Sequence, residues 1–139
     1  MKEKLNTYFD QRKDYGAIFI RLLIGFHLIY GVQDNVLSWE RMIEFKDFLV
    51  SHQFPFPFVC AVVSVYMQLI CGLLYIFGAF IRMAALVMIT NFLIAILMVH
   101  LGDNYPNAFP ALAMLFGSLF LLFNGAGKFS IDLSFKNTT

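Results

Sequence analysis

The most demanding group in this chain is a guanidinium set in an apolar run, Arg21 in GAIFIRLLIGFHLIYGV. Facing hydrocarbon it would cost several kcal/mol. It must therefore find acceptors on a neighbouring helix (Tyr75, Asn91 or backbone carbonyls), reach the nearest membrane surface, or contact a ligand. Uncharged hydrogen-bonding groups recur in the later apolar runs: Ser64, Gln68, Tyr75 and Asn91. In lipid such groups either join helices or face a bound molecule. His27 and Asp34 are seven residues apart, which places them on one helical face about 10 Å apart. Tyr30, Gln33, Asp34 and His100 gather toward one membrane edge, where they either line a polar pocket or mark the boundary with water. The candidate binding set is Arg21, Tyr30, Asp34, Gln68, Asn91 and His100.

Other chemistries find no matching pattern. Two axial haem ligands need equal depth, and His27 and His100 differ by about 10 Å when the spans are aligned. No third ligand is spaced to join them around a metal. Cys60 and Cys71 are eleven residues apart, roughly 16 Å along a helix and beyond disulfide reach. There is no nucleophile–base constellation, no glycine-rich phosphate loop and no CxxC pair. A net charge of +1 without a Lys/Arg run gives no footprint for nucleic acid.

The elements that must position these groups are membrane spans. The chain is 60% hydrophobic and 14% charged, against about 45–50% and 25% in soluble domains. Apolar runs predict spans near 15–37, 56–80, 83–101 and 108–124, each close to the roughly 20 residues that cross a bilayer. Residues 56–101 as one helix would be about 69 Å long, more than twice the hydrocarbon thickness. The chain must fold back, and 78–82 holds both a glycine and an arginine. Span four, starting near Pro110, is the shortest. Between spans one and two, LSWERMIEFKDFLVS predicts a short interfacial amphipathic helix, with Ser38 as N-cap and Trp39 at headgroup depth.

Within the spans, Ser64, Gln68, Cys71, Gly72, Tyr75 and Gly78 recur every three to four residues and predict a bundle-facing stripe. Ala84, Met88, Asn91, Ala95 and Met98 predict a seam on span three, and Ala113 with Gly117 a small-residue contact on span four. Residues 1–14 are polar, mixed in charge and lack a cleavage site, so the first span is expected to stay as a signal anchor. Met1, Leu5, Tyr8 and Phe9 at helical spacing suit a surface-lying amphipathic helix, with a polar tail the alternative. The expectation is an all-α, four-helix transmembrane bundle over 15–127, flanked by polar segments 1–14 and 128–139. Lysine and arginine collect on one side, which predicts both termini in the cytoplasm.

The order of these features resembles the DoxX family of small four-helix membrane proteins, over about residues 20–132. Span one, IRLLIGFHLIYGVQD, is similar to the family's opening arginine and two glycines (Arg21, Gly25, Gly31). QLICGLLYIFGAFIRMAAL is similar to its glycine-bearing helix, turn and arginine (Gly72, Gly78, Arg82). Span three closes on His100, and GAGKFSID is similar to the family ending (Gly125, Gly127, Ser130, Asp132). The chain departs where many relatives carry a glutamate: here Gln68 stands at one such position and Phe109-Pro110 at another. The resemblance implies a bacterial inner-membrane subunit associated with redox chemistry, with a quinone as the implied contact and a redox protein or a second copy of the chain as the implied partner. A non-catalytic assembly subunit is the main alternative. A small-molecule carrier, which would need a wet cavity near the midplane, is a weaker one.

Overall fold

The computed structural model describes residues 2–136 and is all α, with no strand among the described residues. A short helix α1 (Lys2–Asp10) and a 3-10 turn (Lys13–Tyr15) lead into α2 (Gly16–Leu37). There follow α3 (Trp39–Ser51), α4 (Pro57–Phe77), α5 (Ile81–Met98), α6 (Tyr105–Asn124) and a one-turn α7 (Ile131–Lys136). Helices α2, α4, α5 and α6 are 22, 21, 18 and 20 residues long and apolar enough to cross a membrane. At 1.5 Å per residue they span about 27–33 Å, the thickness of the hydrocarbon core.

Outward faces are apolar: Phe19, Phe116 and Phe123 are 72%, 65% and 79% exposed. Water does not tolerate such a surface, and lipid does. With no hydrophobic drive between helices in lipid, packing rests on close approach and hydrogen bonds. The most extensive contacts are α2 on α4 and α5 on α6. The first is set by Gly25 and Gly72, each lying on the other's backbone. A Cβ at Gly25 would stand 2.8 Å from the Gly72 carbonyl oxygen, and one at Gly72 3.0 Å from that of Gly25. Gly117 of α6 admits Ile24 of α2 in the same way.

One buried cluster joins Ile24 and Leu28 of α2, Tyr75 of α4, Met88 and Phe92 of α5 and Leu121 of α6. A second joins Val32, Met42, Leu49, Ala61 and Val65, where α3 lies across α2 and α4. Helix α3 buries Met42 and Leu49, seven residues apart, and keeps Trp39 exposed with its ring edge-on to Phe58. Ser38 is its N-cap by position and backbone, with a carbonyl that accepts from Met42 N at 3.2 Å; its side chain makes no cap bond.

Helix α4 ends on Gly78 and α5 starts at Ile81, inside the segment expected to turn. Both Gly78 and Phe80 adopt left-handed conformations. Span four departs from the expected start near Pro110: α6 begins at Tyr105 and carries Pro110 internally. Pro106 falls in the first turn, where its missing N–H costs nothing. Pro110 then removes one ladder bond without ending the helix. Leu5, Tyr8 and Phe9 of α1 are exposed, and the Arg12 guanidinium lies 3.7 Å over the Tyr8 ring. Met1, the other apolar residue of that predicted face, lies outside the described residues.

Candidate functional site

Arg21 is 2% exposed and uses all its nitrogens on backbone carbonyls. Nε donates to Tyr75 O at 2.9 Å, Nη2 to Ile76 O and Phe129 O at 3.2 Å each, and Nη1 to Ala126 O at 2.6 Å. The last turn of α4 leaves carbonyls without intrahelical donors, and a cation there also opposes the negative end of the helix dipole. The guanidinium thus ties α2 to the end of α4 and to the loop after α6. Gly78 makes room for it, since a Cβ there would lie 2.8 Å from the guanidinium carbon. Gly127 lets the loop close on the start of α2, since a Cβ there would lie 2.5 Å from Asp14 O. Both have positive φ.

The loop continues into Asp132, whose carboxylate accepts from Phe80 N at 2.7 Å and Ile81 N at 3.0 Å. It caps the first turn of α5 from a distant part of the chain. Asp132 N in turn donates to Gly78 O at 3.1 Å. These bonds make one clasp from Arg21, Gly78, Asp132 and the Ala126 and Phe129 carbonyls. Of the expected alternatives for Arg21, neighbouring carbonyls are what its nitrogens meet.

A second polar group lies near mid-length of α4 and α5. Gln68 Nε2 donates to Ser64 Oγ at 3.1 Å, and Ser64 Oγ donates to Asn91 Oδ1 at 2.9 Å. This chain uses one side of each amide and leaves the Gln68 carbonyl oxygen and the Asn91 NH2 with capacity to spare. The three residues line a cavity of about 260 Å³ with Phe45, Phe48, Leu49 and Phe54, from α3 and the segment after it, as its roof. Its other walls, including Cys60, Val63, Phe92 and Val99, are almost wholly apolar. The volume is just under the roughly 300–1,000 Å³ of ordinary ligand pockets, and the lining has the usual character of one: apolar walls with a few convergent polar groups.

The remaining candidates lie elsewhere. Tyr30 and Asp34 are exposed on α2, and Tyr30 stacks on Phe26. His100 Nδ1 is 2.9 Å from Asp103 Oδ2, and among the described residues no hydrogen bond joins His100 to Tyr30 or Asp34. Gln68 and Asn91 share the cavity between α3, α4 and α5, which Tyr30, Asp34 and His100 do not line. Among the described residues no group of three or more His, Cys, Asp or Glu side chains could hold a metal ion. The sequence reading missed Ser118, fully buried on α6, which accepts from Tyr75 Oη at 2.9 Å. Its signal was a hydroxyl beside Gly117 in the middle of an apolar span.

Four apolar helices, a buried arginine clasp and a polar group between two spans define a small multi-pass membrane protein. The chain belongs to the DoxX family, whose model matches residues 16–101. The match covers α2 to α5 and ends before α6, so the Gly125, Gly127, Ser130 and Asp132 ending lies beyond it. Neither a curated protein nor a solved structure matches the chain.

Proposed function

We propose that this protein is a redox-associated subunit of the bacterial inner membrane, with a quinone ring held in the cavity between α3, α4 and α5. The observation that carries the reading is the Gln68–Ser64–Asn91 chain, with a spare donor and a spare acceptor in an otherwise apolar cavity. The Asn91 NH2 donates to a quinone carbonyl, and the Gln68 carbonyl accepts from a quinol hydroxyl, so either redox state finds a partner. The apolar walls suit a ring and the start of an isoprenoid tail. A bound quinone supplies two-electron, two-proton redox chemistry. The residues hold and orient the ring, and a partner protein supplies or takes the electrons.

In the same reading both termini are cytoplasmic. Lys4, Arg12, Arg82 and Lys128 collect at the end where α1 and α7 lie, against Arg41 and Lys46 at the α3 end. That asymmetry follows the positive-inside rule.

The Ser64–Asn91 bond also joins α4 to α5, which favours a second reading in which the polar group serves assembly alone. One variant separates the two. Among the described residues Gln68 bonds within its own helix alone, so Gln68→Leu removes the spare acceptor without cutting an interhelical bond. Protein purified in mild detergent and weighed by native mass spectrometry is expected to retain quinone, and Gln68→Leu to lose most of it at an unchanged melting temperature. Retention equal in both, or no quinone in the wild type, would leave the assembly reading standing.

A further inference from the structure

We infer a second binding site at the opposite end of the bundle, for the phosphate headgroup of an anionic phospholipid. A cavity of about 550 Å³ opens there between the start of α5 and the loop that follows α6. Its two cations are Arg82 and Lys128. Arg82 is exposed and has no hydrogen-bond or ion-pair partner among the described residues. Its guanidinium runs along the loop backbone: a Cβ on Gly125 would lie 3.8 Å from both Nε and Nη2. Lys128 Nζ sits 5.0 Å from the centre of the Tyr15 ring, which holds it beside the opening.

Two carboxylates also line the cavity, and they do not cancel the cations equally. Asp132 already accepts from two backbone N–H groups at the positive end of α5, so much of its charge is compensated. Asp14 is exposed at the rim. Asn124, Ser130 and the loop backbone form one wall, and the wall beside Arg82 is apolar: Phe80 and Met83 are 65% and 63% exposed there. A guanidinium and an ammonium next to exposed apolar side chains, at the end of membrane-spanning helices, match a molecule with a phosphate at one end and acyl chains at the other. A free phosphate would use the cations and leave Phe80 and Met83 without a role, which favours the lipid as the source of the phosphate. Bound there, the headgroup bridges the first turn of α5 to the loop that Arg21 holds, and so tightens the clasp.

The full chain in mild detergent is titrated separately with phosphatidylglycerol, phosphatidylcholine and inorganic phosphate, and read by native mass spectrometry and thermal melting. One phosphatidylglycerol should be retained and should raise the melting temperature by several degrees. Phosphatidylcholine should bind more weakly, and inorganic phosphate should neither bind nor displace the lipid. Arg82→Gln should weaken phosphatidylglycerol roughly five- to tenfold, with Arg82→Lys, which keeps the charge but not the planar fork, falling between it and the wild type. Equal retention of the two lipids, or no loss in Arg82→Gln, overturns the site, and displacement by inorganic phosphate overturns the lipid assignment. Should Arg82→Gln not fold, Lys128→Gln and the salt dependence of wild-type binding decide: affinity that ignores both also overturns it.

Discussion

Arg21 illustrates how a costly residue becomes a structural one. Its four bonds to carbonyls at the end of α4 and in the loop after α6 satisfy acceptors that would otherwise stay unpaired. Arg21→Leu should lower stability by roughly 3 kcal/mol or more, because hydrogen bonds to a charged group contribute about 1.5–3 kcal/mol each and the loss is not additive. Arg21→Lys should recover only part, since an ammonium cannot reproduce the planar fork. Unfolding in detergent checks both, and a wild-type melting curve for Arg21→Leu would contradict the clasp. Asp132→Ala, which uncaps α5, should cost about 1 kcal/mol, and Asp132→Asn less. The need of Arg21 for partners was legible in the sequence from its apolar neighbours. Which carbonyls answered it was not, because two come from a loop whose path depends on the left-handed Gly125 and Gly127.

At the scale of elements, the crossing of α2 and α4 depends on two glycines that face each other. Gly25→Ala places a methyl 2.8 Å from a backbone oxygen, so the helices must separate. A cost of about 1–3 kcal/mol is expected, as for other overpacked sites. Gly31→Ala, with nothing within 4 Å of its added Cβ, is the control and should leave stability unchanged or slightly higher. Similar melting of the two variants would contradict the close crossing. The four long helices were readable because length and hydropathy in lipid leave few other choices. The start of α6 was misread because Pro110 resembles a helix start, whereas Pro106 had already taken the first-turn position. The pairing of Gly25 with Gly72 needs two helices at once, and periodicity along one helix carries no such information.

At the scale of the whole molecule, the chain carries a polar site at each of two depths. The clasp and the cationic cavity lie at the end where α2 begins and α6 ends, and the Gln68–Ser64–Asn91 cavity descends from the α3 end. Asp14 and Lys128 line one cavity, so the chain enters and leaves the bundle on the same side. Reporter tags at the two ends should therefore give one compartment, and a cysteine placed at Arg41 should label from the other. Tags reporting opposite compartments would contradict four crossings. The α3–α4–α5 cavity was only half legible in the sequence. Gln68 and Asn91 stood out as amides in lipid, but the aromatic roof comes from α3 and the segment after it. Only folding brings Phe45, Phe48 and Phe54 over them.

The most direct measurement is photo-crosslinking in native membranes with a photoreactive quinone analogue, followed by peptide mapping. Adducts are expected on residues around the α3–α4–α5 cavity, such as Phe45, Cys60 and Val63, that natural quinone displaces and Gln68→Leu abolishes. Adducts spread over the lipid-facing side chains of all four spans, insensitive to competition and to Gln68, would contradict it.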